Sequence, residues 1–310
     1  MSTGTRQKES YRVSVVIVTR DRAKVLPTCL DSIVSQVPAP DEIVIVRGND
    51  QSFPQSLRDR YDQVQIIVVD CSEPNISIAR NMGIEHVSGT MVLFIDDDAI
   101  AHEGWVSAYI ESIAADQHTW AAGGSVYDAR QQPMPYEFDR GLVHPSGRQI
   151  EVLTDSTRAG TAGFRTSVKG CNFALHLDRL PSDLRFDPFF RFAFDESDLI
   201  MGIHERGGGV VHVTDAIVDH RHSPGAYRAD GIMDRDWITE FASHTRFMRK
   251  HTMGVGRIGG WFIVIRRLAA HSMRSLLAVI SGKLSIGRGS RCIRDAIAGI
   301  RHGASSRDSV

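Results

Sequence analysis

Val13-Ser14-Val15-Val16-Ile17-Val18, followed by Thr19-Arg20, is a short, β-branched and almost continuously apolar run. It predicts a strand buried on both faces, as strands of a parallel sheet are. Outward from it, Leu26, Cys29, Leu30, Ile33, Val34 and Val37 recur at three- and four-residue spacing and predict a helix. Pro27 is tolerated there in the first turn, and Pro38 and Pro40 end it. Residues 43–46 and 66–69 read as two more strands, 75–86 as a helix and 91–95 as a fourth strand. Strands alternating with helices imply βαβ units and an α/β fold with a mostly parallel sheet. Right-handed crossovers set the C-terminal strand ends along one edge, where open sheets bind ligands. Further on, 103–114 reads as a helix. The Gly-, Pro-, Ser- and Thr-rich stretch 131–165 predicts long loops. A helix over about 196–206 stops at Gly207-Gly208-Gly209, and 210–218 suggests one or two short strands. From about Trp237 the chain reads as basic amphipathic helices.

The 310 residues suit one large domain, or one domain with a substantial appendage, and 42% hydrophobic with 24% charged residues is enough for a packed core. A net charge of −1 argues against nucleic acid as a partner. That balance conceals an asymmetry: from Phe241 onward, 13 Lys and Arg face two acids, Asp295 and Asp308. An acidic body with a basic tail implies an anionic partner for the tail. Cys29, Cys71, Cys171 and Cys292 are scattered without zinc-like spacing and read as buried thiols of a reducing compartment. Residues 1–11 carry no apolar signal-peptide segment, and no run of about 18 apolar residues occurs. A cytoplasmic location is expected.

The strongest chemical signal is Phe94-Ile95-Asp96-Asp97-Asp98-Ala99. Three carboxylates at the end of an apolar strand repel one another and need either water or a cation. A solvated acidic turn is the plain alternative. At the ligand-binding edge of a parallel sheet, a hard cation such as Mn²⁺ or Mg²⁺ is favoured. In Asp195-Glu196-Ser197-Asp198-Leu199, Asp195 as an N-cap with Asp198 at N3 explains two acids structurally. Glu196 is not required by that reading, and a carboxylate there can take a proton from a hydroxyl. His220-Arg221-His222 follows an apolar strand. Histidine can complete a metal site, although exposed turn histidines are the simpler reading. Arg80, in Ala79-Arg80-Asn81, reads by itself as any surface arginine.

In their order, these motifs resemble the family-2 glycosyltransferases of GT-A fold. The resemblance rests on residues 15–20, Leu30-Asp31-Ser32-Ile33, Ala79-Arg80-Asn81-Met82-Gly83, Asp96-Asp97-Asp98, Gly170-Cys171-Asn172-Phe173-Ala174 and residues 195–199, and covers about 11–224. It implies a Rossmann-like sheet in a catalytic domain over 11–225, with a nucleotide half at about 11–100 and an acceptor half at about 101–225. A flexible N-terminus (1–10) precedes it, and a basic amphipathic extension (226–310) follows. Thr19 and Arg20 would border the nucleotide, Arg80 would lie near it, and Asp96 and Asp97 would approach the donor. Asp98 and His220, or His222 in its place, would bind the metal. Glu196 or Asp195 would be the base, since relatives carry this pair in the order Glu-Asp. Relatives also place an acid in the turn after the second strand. Here the turn is Arg47-Gly48-Asn49-Asp50, so only Asp50 can serve, which leaves the nucleotide's identity open.

The implied reaction is inverting transfer of a sugar from a nucleotide-sugar donor to a glycan, lipid-linked or small-molecule acceptor, as in cell-envelope polysaccharide synthesis. A nucleotidyltransferase would need a Gly-rich loop where Thr19-Arg20-Asp21-Arg22 stands. A non-catalytic sugar-binding or scaffold protein of the same fold is the other alternative. For the tail, Arg246, Arg249 and Lys250 on one helical face, with Trp261, Phe262, Ile263 and Leu276 among later arginines, predict contact with an anionic membrane at its cytoplasmic face. Packing on the body or in a homo-oligomer is the alternative.

Overall fold

The computed structural model describes residues 11–49, 53, 55–128, 140–152, 163–221 and 236–306. The elements are β1 (Val13–Thr19), α1 (Leu26–Val34), β2 (Glu42–Arg47), α2 (Gln55–Arg58), β3 (Gln65–Asp70), α3 (Ile76–His86), β4 (Met91–Asp96), β5 (Ala99–Ala101), α4 (Trp105–Ala115) and β6 (Thr119–Asp128). There follow β7 (Arg140–Val143), β8 (Gln149–Val152), β9 (Arg165–Ser167), β10 (Asn172–His176), α5 (Asp195–Glu205), β11 (Gly209–His220), α6 (Trp237–His251), α7 (Gly254–Ile280) and α8 (Ile286–Ser305).

One eight-stranded sheet runs β3-β2-β1-β4-β10-β6-β11-β5. The β3–β4 half is parallel, as the apolar runs require, and β10 enters antiparallel between β4 and β6. β1 is buried on both faces. Val15 and Ile17 join the core under α1 and α4, while Val16 joins the core under α3 and α5. Burying each such side chain contributes about 1.5–3 kcal/mol. α3 starts on Asn75, whose Oδ1 accepts from the Ser77 and Ile78 amides at 3.0 and 3.3 Å. Such a cap is worth about 1 kcal/mol.

Four expectations about the elements themselves change. α1 ends at Val34, not Val37: Val37 is exposed, and a residue before proline is pushed out of the helical region. Within 131–165, the described residues form strands, not loops. β7 and β8 make a hairpin, β9 adds to it, and Val143 is fully buried; 131–139 and 153–162 lie outside the described residues. The segment after α5 is one long strand, β11, with a register shift between Val213 and Ile217. Finally, Phe194, at φ 66°, occupies the N-cap of α5 without a side-chain hydrogen bond, so Asp195 and Asp198 are not a capping box. α5 does end at the glycines, with Gly207 at φ 83°.

The C-terminal helices lie against the body. On α6, His251 bonds Asp198 (Nε2 to Oδ1, 2.9 Å) and Glu205 (Nδ1 to Oε1, 2.7 Å), while Lys250 Nζ reaches Asp198 Oδ2 at 2.8 Å. Gly299 and Gly303 let α8 approach the α6 backbone so closely that any side chain there would collide. Arg246 is buried, and Arg249 donates to the carbonyls that end α8. These two and Lys250, expected on a membrane-facing side, therefore serve internal packing. No helix among the described residues is long and apolar enough to cross a membrane.

Candidate active site

The end of β4 delivers three acids in two directions. Asp96 is its last residue, and the turn of Asp97 and Asp98 leads into β5. β5 pairs with β11 so that Ala99 faces His220, and the Arg221 amide donates to the Asp98 carbonyl at 3.0 Å. This pairing sets His220 Nε2 3.1 Å from Asp98 Oδ1 and 3.6 Å from Asp96 Oδ2. One ligand atom from each of Asp96, Asp98 and His220 lies within 4.8 Å of the others. Two carboxylates and an imidazole, drawn together at a strand end, fit a divalent cation of the Mn²⁺ or Mg²⁺ kind. Burial pulls the His220 pKa down, but Cys171, Asp98 and Asp96 more than offset this and carry it to about 10.

Asp97 turns the other way. It is buried, accepts from Thr19 Oγ1 at 2.8 Å and pairs with Arg22 Nη1 at 2.9 Å. Burial raises its pKa to about 6 against the pull of Arg22 and Thr19. Arg22 also reaches Asp98 Oδ2 at 3.2 Å. It is a functional candidate that nothing in its local sequence marks.

Beside this cluster lies a cleft of about 240 Å³ lined by residues that include Val18, Thr19, Arg20, Gly48, Ala79 and Asp96. Arg20 donates to the Ser72 carbonyl at 3.3 and 3.4 Å. Arg47 is bonded to Asp70 (2.6 Å) and to the Phe53 carbonyl (2.9 Å). Glu73 and Arg191 also line the cleft; nothing in their local sequence marks them. Asp50 and His222 lie outside the described residues.

Arg80 is far from an ordinary surface arginine. It is 3% exposed and sits against the rings of Phe173 and Phe186, at 5.4 and 5.5 Å. It donates to the Gly170 carbonyl at 2.7 Å, pairs with Asp195 and comes within 3.9 Å of Asp96. It thus bridges the acids of β4 to the start of α5. The adjacent acids of α5 differ accordingly. Asp195 is buried on Arg80, while Glu196 is only partly covered and borders a second, larger cavity of about 530 Å³. Burial and the charge of Asp195 hold the Glu196 pKa well above the usual carboxylate range.

A parallel sheet that turns antiparallel beyond its acid-bearing strand, with a cleft at that strand's end, is the GT-A architecture. The chain belongs to glycosyl transferase family 2, whose model matches residues 14–171. It is similar to a glucosyl-dolichyl phosphate glucuronosyltransferase of Haloferax volcanii, 32% identical over 120 residues, 37% of this chain and 38% of that protein. It is also similar to the uncharacterized glycosyltransferase YwdF of Bacillus subtilis, 27% identical over 144 residues, 46% of this chain and 50% of that protein. The matches thus span about two-fifths to half of these relatives' length. Among solved structures, a mannosyltransferase of Pyrobaculum calidifontis in complex with GDP-Man and Mn²⁺ superposes with a TM-score of 0.54 at 15% identity, over 97% of this chain and 90% of that one. TarS of S. aureus with UDP-GlcNAc does so with a TM-score of 0.59 at 15% identity, over 93% and 81%. At this identity the likeness establishes the fold.

Proposed function

We propose that the protein is a metal-dependent inverting glycosyltransferase that moves a sugar from a nucleotide-sugar donor to a hydroxyl of a lipid-linked acceptor. The observation that carries this is the Asp96–Asp98–His220 cluster beside the cleft, with Arg80 linking it to the acids of α5. Asp98 and His220, joined by Asp96, would hold Mn²⁺ or Mg²⁺, which when bound neutralises the diphosphate leaving group. Thr19 and Arg20 border the nucleotide. Glu196 takes the proton of the attacking hydroxyl: its side chain borders the second cavity, whereas that of Asp195 is paired with Arg80. Asp195 holds Arg80 and so positions Glu196. The nucleotide-bound structural relatives support the donor class.

A membrane location is supported by α7. Val255, Ile258, Phe262, Ile265, Met273, Leu276 and Ile280 recur at helical spacing and are all exposed. A helix with such a stripe, flanked by arginines, can lie on an anionic lipid surface. The relative named for a glucosyl-dolichyl phosphate substrate supports a lipid-linked acceptor. The test is hydrolysis of a panel of nucleotide sugars with Mn²⁺, with Mg²⁺ and without divalent cation. Cation-dependent release of the nucleotide from one donor is expected; no release from any donor would point to the non-catalytic reading.

A further inference from the structure

The larger cavity is walled by the β7–β8 turn, the start of α5, α6 and one face of α7. Four arginines reach it (Arg148, Arg266, Arg267 and Arg274), against two acids, Glu196 and Glu240. Glu240 is taken by Arg267 at 2.9 Å, and Arg148 lies over the ring of Phe164 at 5.4 Å. Arg266 and Arg274 are exposed and form no ion pair with another described residue. The cavity therefore carries an excess of positive charge next to Glu196. Its histidines register that excess. Burial, and then Arg267, lower the His244 pKa to about 4, and burial with Arg267 and Arg274 lowers that of His271.

The helical spacing of α7 adds a direction. Ile263, Arg266, Arg267, Ala270 and Arg274 share the cavity face, three and four residues apart. The exposed stripe of Ile258, Phe262, Ile265 and Leu276 lies on the neighbouring face. Arg266, four residues after Phe262 and next to Ile265, stands at the seam. A ligand with an apolar tail along the stripe would thus bring its polar head to these guanidinium groups. Guanidinium groups recognise phosphate oxygens through paired, charge-assisted hydrogen bonds.

We propose that this cavity is the acceptor site and that Arg266 and Arg274 bind a phosphate group carried by the acceptor, presenting its sugar hydroxyl to Glu196. The assignment of the acceptor rests on the glycosyl-transfer reading above; the phosphate site does not. The test is calorimetry on the full chain at low salt without divalent cation, using octyl phosphate, octanol and glucose 1-phosphate as probes. Octyl phosphate should bind the wild type more tightly than octanol does. In Arg266→Gln/Arg274→Gln its affinity should fall by at least about tenfold, the effect of losing charged hydrogen bonds. Arg266→Lys/Arg274→Lys, which keeps the charge, should recover most of it, and thermal melts confirm that both variants fold. Glucose 1-phosphate binding as tightly as octyl phosphate would assign the phosphate to a water-soluble acceptor; weaker binding would assign it to a lipid. Equal octyl phosphate affinity in wild type and the Gln pair, or no binding to wild type, would overturn the site. Failure of the transfer reading is seen separately, as absence of nucleotide-sugar hydrolysis by the wild type with Mn²⁺.

Discussion

At the sheet edge, Arg22 and Arg80 are largely withdrawn from water, and each is held against two carboxylates. On α7, Arg266 and Arg274 stand exposed along a cavity wall with no ion pair to a described residue. The first pair is part of the scaffold, because it balances acids that would otherwise repel one another. The second pair has its charge available to something that arrives. The difference shows that a basic residue's role here is set by the acids its element is packed against. It also separates the proposed donor side, internally compensated, from the proposed acceptor side, whose arginines are open.

The largest expected effect is on the compensated side. Asp98→Ala removes a carboxylate that contacts both His220 and Arg22. Mn²⁺-dependent affinity for the nucleotide sugar should be lost, with turnover down by about 10³-fold, the upper range for removing one charge-stabilising group. Calorimetry showing unchanged Mn²⁺-dependent affinity would break the comparison at its root. Next, the two acids of α5 should fail in different ways. Glu196→Gln should lower kcat by about 10²-fold or more at unchanged donor affinity and melting temperature. Asp195→Asn strands a buried Arg80 and should cost about 3 kcal/mol of stability in denaturant unfolding. Turnover kept by Glu196→Gln and lost by Asp195→Asn at full stability would make Asp195 the base.

Smaller effects belong to the contacts between the two sides. Burial lowers the His251 pKa, but its bonds to Asp198 and Glu205 outweigh burial and raise it. Its unfolded value is near 6.5, so its stabilisation is complete below about pH 6.5 and fades as pH rises through the folded-state value. Melting temperature should therefore decline across that range, and less so in His251→Gln. A parallel decline in both proteins would remove His251 as the cause. The smallest effect on the fold should come from Phe262→Ser with Ile265→Ser: stability within about 0.5 kcal/mol, as for exposed sites, and a several-fold loss of binding to anionic vesicles. Vesicle binding equal to wild type would favour a contact between copies over a lipid surface.

The parallel half was legible because β1 and β2 are buried on both faces, so residues 13–18 and 43–46 carry a nearly continuous apolar signal. The acid cluster was legible because three adjacent carboxylates need a reason. Arg80 was not, since its worth comes from Gly170, Asp195 and Asp96, far apart in sequence and joined only by packing. The hairpin of β7 and β8 hid in a glycine- and serine-rich stretch, because four-residue strands leave too few positions for alternation to show. The inward turn of Arg246 was likewise unreadable: it depends on Asp187 and the end of α8, with Arg246 Nη2 3.5 Å from Asp187 Oδ2.

The register shift in β11 has a consequence for how this sequence can drift. Val213 pairs with Gly124 and Ile217 with Ser125, so three residues of β11 are looped out against none of β6. Beyond the shift, Val218 and His220 alternate onto the buried face. A strand repeats every two residues, so inserting or deleting one residue between 213 and 217 would turn His220 to the opposite face, away from Asp98. Substitutions at the exposed Thr214 and Asp215 leave that parity untouched. Among descendants of this chain, the segment should therefore vary in letters and hold its length.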